Sequence, residues 1–193
     1  MNNLIQITNV SKKYLKQFAL KDISLTLPIG KIIGIVGENG SGKSTLLRLI
    51  SGLSLPTSGR VTVNGETANR RISKVVSYLS EFGSSYLIFT VREAMDFQAS
   101  QFPDFNMAKA EEIMKFMQLE PHMKIKDLSK GNRGRLKIML TLAREVPYIL
   151  MDEPLSNLDA KLRGQMRAEI TKLVKRLETT CIYVTHDQTE AMT

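Results

Sequence analysis

Nine consecutive residues, Gly37-Glu38-Asn39-Gly40-Ser41-Gly42-Lys43-Ser44-Thr45, constrain the fold of this chain more than any other stretch. They fit the phosphate-loop spacing of Gly, four residues, then Gly-Lys-Ser. The apolar run Ile32-Ile33-Gly34-Ile35-Val36 ahead of them reads as a strand, and Leu46-Leu47-Arg48-Leu49-Ile50 behind them reads as a helix. Such a loop needs that strand-loop-helix setting, which argues against a Gly-rich turn that merely contains a lysine. The glycines let the backbone adopt positive φ and come close to phosphates, so that successive N–H groups wrap a polyphosphate at the positive end of a helix dipole. The candidate contacts are Gly37, Asn39, Gly40, Ser41, Gly42, Lys43, Ser44 and Thr45. Lys43 would reach the β and γ phosphates, and Ser44 would offer its hydroxyl to Mg²⁺.

Length and composition set the frame for that loop. The 193 residues suit one medium domain that buries a substantial core without disulfides. The single cysteine, Cys181, lies in the apolar run Cys181-Ile182-Tyr183-Val184 and reads as a small buried hydrophobe rather than a reactive thiol. The N-terminus alternates polar and apolar residues, with no signal-peptide core, and no run is long enough to span a bilayer, so the chain is expected to be cytosolic and soluble by itself. A net charge of +8 favours polyanions. The basic residues are scattered, however, and dedicated nucleic-acid binding is not expected. Two histidines and no Cys/His cluster argue against zinc.

Before the loop, Leu4-Ile5-Gln6-Ile7 and Ile23-Ser24-Leu25-Thr26-Leu27 read as strands of an antiparallel sheet, separated by a polar turn around Lys12-Lys13-Tyr14. Tyr14 is then an aromatic on a turn, either half-buried or able to stack on a base. After the loop helix, Val61–Gly65 reads as a strand ending in a turn and Val75–Leu79 as another strand. Residues 91–126 read as helical, with Ala110, Ile113, Met114 and Met117 at core spacing. Tyr148-Ile149-Leu150-Met151-Asp152-Glu153 is an apolar strand ending in two carboxylates. At the C-terminal end of a parallel strand beside the loop, Asp152 would hold Mg²⁺ through water, and Glu153 would orient or deprotonate an attacking water. A helix from Asp159 follows, with Leu162, Met166, Ile170, Leu173 and Leu177 on one face. Ile182-Tyr183-Val184-Thr185-His186 then repeats the pattern of a strand ending in a functional group, where a neutral imidazole could donate to a γ-phosphate oxygen; alone, such a histidine is more often structural.

The order of these motifs resembles the nucleotide-binding subunit of an ATP-binding cassette transporter, over nearly the whole chain. The phosphate loop, Leu128-Ser129-Lys130-Gly131-Asn132, the Asp152-Glu153 strand end, Ser156-Asn157-Leu158-Asp159 and Thr185-His186-Asp187 occur in that family's order and near its spacing. The resemblance implies that Tyr14 stacks on adenine, that Glu153 is the catalytic carboxylate, and that His186 senses the γ-phosphate. It places Ser129 and Gly131 in the signature loop that contacts a second subunit's nucleotide, and Asp159 in a loop touching the opposite site. The implied molecule is an α/β P-loop NTPase cassette: one domain over residues 1–193, a parallel-sheet core, an N-terminal antiparallel β subdomain and a helical subdomain at about 82–135. It would close head-to-tail as a dimer on Mg-ATP to drive a membrane permease docked near Glu81 and the insert, as a cytoplasmic ATPase peripheral to the membrane.

Two departures stand out. The family's signature usually holds two glycines and a glutamine where this chain has Lys130, Gly131 and Asn132, and a glutamine that usually meets the metal and attacking water aligns with Glu81, whose carboxylate can also ligate Mg²⁺. The middle of the chain resembles cassettes of exporters lacking a binding protein, and residues 152–192 resemble sugar-importer ATPases, as in a natural mixture or an engineered chimera. The family usually continues beyond the switch histidine, so truncation is expected too. A soluble cassette protein acting on nucleic acid or the ribosome, and an ATP-binding scaffold with little turnover, are the rival readings.

Overall fold

A computed structural model describes residues 4–80, 87–155, 160–176 and 179–185. The chain begins with β1 (Ile5–Tyr14) and β2 (Gln17–Leu27), an antiparallel pair, and continues through β3 (Ile32–Val36), α1 (Lys43–Ile50), β4 (Ser58–Val63) and β5 (Glu66–Thr67). A 3-10 turn at Arg70–Lys74 leads into β6 (Val76–Leu79), and α2 (Val91–Gln101) and α3 (Met107–Phe116) follow. After a second 3-10 turn come α4 (Lys130–Leu142), β7 (Tyr148–Asp152), α5 (Ala160–Arg176) and β8 (Thr180–Thr185).

The strands make two sheets. One is antiparallel in the order β2-β1-β4-β5; the other is parallel in the order β3-β8-β7-β6. The tight β4–β5 hairpin turns on Asn64 and Gly65, both at positive φ (54° and 81°), the geometry that matches a two-residue turn to strand twist. The polar stretch Lys12-Lys13-Tyr14 is strand rather than turn: Tyr14 pairs with Gln17, and the turn is Leu15-Lys16, with Leu15 at φ 52°. Register shifts between Ile7, Val10, Lys12 and Lys13 break the period-two alternation, which is why the end of this strand looks like a loop in sequence.

The core lies on both faces of the parallel sheet. On one, Val76, Leu150, Ile182 and Val184 meet Leu46, Leu47, Leu49 and Ile50 of α1, together with Ile5, Ile7, Val61 and Val63 of the antiparallel sheet. On the other, Ile149, Met151 and Cys181 meet Met166, Ile170 and Val174 of α5 and Met139 and Leu142 of α4. Ala110, Ile113, Met114 and Met117 all fill this second cluster, as their spacing predicts. A strand covered on both faces reads as a near-continuous apolar run, and every residue of β7 is buried, down to Asp152 at its end. Arg144 ties the helices to the sheet edge: it makes two hydrogen bonds of 2.7 Å to Asp104, donates to the carbonyls of Ser73 and Val76, and stacks on Phe102.

Candidate nucleotide-binding site

The phosphate loop leaves the end of β3 and turns into α1 through two glycines at positive φ, Gly40 at 83° and Gly42 at 93°. Gly42 is the N-cap of α1, with no side-chain cap and no acidic residue in the first turn. The first N–H groups of the helix are therefore left for another acceptor, at the positive end of the dipole. Lys43 is buried and curls back so that its Nζ donates to the carbonyls of Gly37 and Glu38, both at 2.8 Å. An incoming phosphate would compete with those carbonyls for the ammonium.

A cavity of about 310 Å³ opens over this loop, lined by Ala19, Asn39, Gly40, Gly42, Lys43, Ser44, Thr45 and Glu153. The loop residues and Glu153, far apart in sequence, thus face one space. Asp152 is wholly buried beneath it: its Oδ1 accepts from the Ser44 hydroxyl at 2.8 Å and its Oδ2 from the Tyr78 hydroxyl at 3.1 Å. Burial first, and then the Asp152 carboxylate, push the Tyr78 hydroxyl up to about 12. The strand beside the loop strand is β8 rather than β7, which lies one place further along; α1 packs over β7 and so brings Ser44 down onto Asp152.

Register levels these parts. Val36 pairs with Thr185 and Asp152 with Val184, so the start of the loop, the carboxylates and the end of β8 lie at the same end of the sheet. Glu153 sits just past the strand with its N–H on Val184 O (3.1 Å) and φ at +45°, a left-handed conformation that costs a non-glycine residue about 1–2 kcal/mol.

Tyr14 lies at the end of β1 beside the β1–β2 turn, 46% exposed as a residue, with Lys12 Nζ 5.0 Å from its ring centroid. Ser129 is the exposed N-cap of α4 and accepts from the Asn132 N–H at 3.1 Å; Gly131 is in the first turn. Neither of these, nor Tyr14, lines the loop cavity. Glu81, Asp159 and His186 fall outside the described residues. Cys181 is buried, and burial pushes its thiol up to about 12, so it behaves as the small hydrophobe its strand predicts. Sequence reading missed Tyr78, whose signal is a polar-tipped aromatic on the sheet-edge strand, paired in register with Leu150 two residues before Asp152.

A metal at this site would find hard oxygen donors: the Ser44 hydroxyl and the Asp152 carboxylate already lie within hydrogen-bonding distance of each other. Among the described residues no group of three acidic, histidine or cysteine side chains forms a protein-only cage. That donor set fits Mg²⁺, which takes few protein oxygens and completes its shell with phosphate and water.

Loop, helix and strand-end carboxylate together place the chain in the phosphate-loop class of nucleotide-binding α/β proteins. Comparison with known proteins narrows the class. The ABC transporter family model matches residues 20–156, and the chain belongs to that family. It is 41% identical to the sn-glycerol-3-phosphate import ATP-binding protein UgpC 3 of Rhizobium etli, over 98% of this chain and 56% of that protein. It is 42% identical to the maltose/maltodextrin import ATP-binding protein MalK of Salmonella paratyphi A, over 98% of this chain and 53% of that protein. The chain thus spans little more than half the length of these relatives. Among solved structures, the ATP-binding cassette MJ0796, a dimer in a post-hydrolysis state bound to ADP and Pi, matches with a TM-score of 0.83 at 27% identity, covering 97% of this chain and 90% of that one. No helix among the described residues is long and apolar enough to cross a membrane.

Proposed function

We propose that the chain binds Mg-ATP and hydrolyses it as the ATP-binding cassette of a membrane transporter. The observation that carries this reading is the convergence of Lys43, Ser44 and Glu153 on one cavity, with Asp152 fixed beneath Ser44. The names of the relatives, import ATP-binding proteins for glycerol phosphate and maltodextrin, support a transport role. Ser44 and Asp152 would hold Mg²⁺, with Glu81 as a further oxygen donor; the ion would supply charge neutralisation between the β and γ phosphates. The N–H groups from Gly40 to Thr45 would cradle the phosphates, with Asn39 and Ser41 at the rim. Lys43 would leave the loop carbonyls to meet charge on the transferred group. Tyr14 would stack on the adenine from the hairpin tip.

Hydrolysis is in-line attack of water on the γ-phosphorus, breaking the bond to the β–γ bridging oxygen and releasing ADP and phosphate. Glu153 would orient that water and take its proton, and His186 would donate to a γ-phosphate oxygen. Because Ser129 and Gly131 lie away from the loop cavity, they would complete a site in a second subunit, with Asp159 touching the opposite site. ATP bound between two head-to-tail cassettes has differential affinity for the closed dimer, which drives closure, and loss of the γ-phosphate removes that drive. The cassette would be a single domain with a helical subdomain at about 82–135. An open cavity of about 340 Å³ along edge strand β6, bordered by Ser51, Gln98, Phe102 and Lys137, is where the permease would dock, on the cytoplasmic face of the membrane.

Steady-state ATP hydrolysis as a function of protein concentration tests this, beside Glu153→Gln. The rate should rise more steeply than linearly, and the variant should lose about 10²- to 10⁴-fold while still binding ATP. Unchanged turnover in Glu153→Gln would refute the assignment.

A further inference from the structure

We propose that Tyr78 is a positioning residue for the metal site, its phenol hydroxyl fixing the rotation of the Asp152 carboxylate so that Oδ1 is held toward Ser44. This rests on the reading above that Ser44 and Asp152 serve Mg²⁺. A carboxylate turns about its Cβ–Cγ bond with little resistance, because that torsion is broad and twofold. Asp152 is pinned from both sides: Ser44 Oγ donates to Oδ1 at 2.8 Å, and Tyr78 Oη donates to Oδ2 at 3.1 Å. When a metal draws on the Ser44 hydroxyl, the Tyr78 bond is the one that remains to hold the carboxylate in place.

Arg48 follows Ser44 by one helical turn on α1, and its positive charge acts on the Tyr78 hydroxyl that donates to Asp152. The hydrogen bonds from Tyr78 and Ser44 to Asp152 therefore join two neighbouring parallel strands to the first turn of α1. Partners of this kind, one shell behind the ligands, orient a ligand and tune its basicity. Removing the hydroxyl would leave Oδ2 of a fully buried carboxylate without its donor.

Tyr78→Phe keeps the ring, its packing against α1 and the strand, and deletes only that donor. The test titrates Mn²⁺ into protein saturated with a non-hydrolysable ATP analogue and reads the bound ion by electron paramagnetic resonance. Affinity for the analogue in EDTA and the melting temperature are measured in parallel. The expected result is Mn²⁺ binding weakened about 10- to 100-fold, with metal-free nucleotide affinity unchanged. Mn²⁺ binding equal to that of the wild type would overturn the proposal. So would a matching loss of metal-free nucleotide affinity, which is the mark of a purely structural tyrosine. A wild-type chain that binds the analogue but adds nothing to the nucleotide's own hold on Mn²⁺ would instead overturn the metal reading of Ser44 and Asp152, and this inference with it.

Discussion

Gly42 and Gly40 both adopt positive φ in the phosphate loop, yet the structure predicts very different costs for giving each a side chain. At Gly40 a Cβ would meet nothing within 4 Å, so Gly40→Ala bears only the backbone terms. A left-handed conformation costs an L-residue about 1–2 kcal/mol, and the stiffer unfolded chain returns about 0.4–1 kcal/mol. The net is about 1 kcal/mol, or a fall of about 2–4 °C in Tm for a chain of this size. At Gly42 the same terms apply, but the Cβ would lie 2.3 Å from the Ala19 carbonyl oxygen and 2.8 Å from Leu20 Cδ2. The first contact is about 1 Å inside ordinary C···O approach. Because the atom struck belongs to the backbone of β2, no rotamer change relieves it. Either β2 and the start of α1 separate, or the loop deforms, which adds an overpacking cost of about 1–3 kcal/mol. Gly42→Ala should therefore lose about 2–4 kcal/mol, and at least about 4 °C in Tm. It should also lose affinity for ATP, because the N–H groups that face the phosphates move with the strain. Thermal melts of both variants, with ATP titrations followed by calorimetry, read the two effects separately. Equal losses of Tm at the two positions would refute the argument that close approach to β2, and not φ alone, requires glycine at 42.

Arg144→Met should leave the Asp104 carboxylate and the carbonyls of Ser73 and Val76 without their donor; since Asp104 keeps some solvent contact, the loss in urea denaturation should sit near the low end of the usual range, about 3 kcal/mol. A loss under about 1 kcal/mol would show the pair to be solvent-compensated. Burial holds the Cys181 thiol at about 12 in the folded chain, above its unfolded value, so its contribution is full below the unfolded pKa and falls away as pH rises toward 12. Stability should then decline above about pH 9 by up to about 1.4 kcal/mol per pH unit. Denaturant midpoints for Cys181→Ala should be flatter between pH 8 and pH 10 than those of the wild type; parallel curves would show that this thiol is not the source.

The phosphate loop was legible because its residue types answer geometric demands that few other sequences meet, and because an apolar strand and an amphipathic helix flank it. The strand of Tyr148–Asp152 was legible for a related reason: burial on both faces gives an apolar run, and the first carboxylates after it mark the end of the strand. The end of β1 was not, since three bulged registers and a solvent-facing run of lysines erase alternation just where the strand reaches Tyr14. Arg144 with Asp104, and Tyr78 with Asp152, were equally hidden. Each is a contact across 40 or more residues whose partners carry no local pattern of their own. Nor did sequence order reveal that β8 comes between β3 and β7, because strand order in a parallel sheet depends on crossovers and not on succession.

That strand order bears on how the site is divided. With β8 inserted between the loop strand and the carboxylate strand, the loop alone does not touch Asp152; the contact is made by α1 crossing over β7 and lowering Ser44 onto it. The glycine loop and the Asp152 carboxylate are therefore joined through a single helix turn, and any shift of α1 along the sheet alters both together. Tyr78 reaches the same carboxylate from β6, the strand that also borders the open cavity at the sheet edge. A partner pressing into that cavity would meet Tyr78 directly, one hydrogen bond from Asp152. Ser129 and Gly131 lie at the start of α4, which packs on the opposite face of the sheet from α1. With the loop and these residues on opposite faces of one sheet, the composite site proposed above would need a second copy or a related cassette to bring the two halves together.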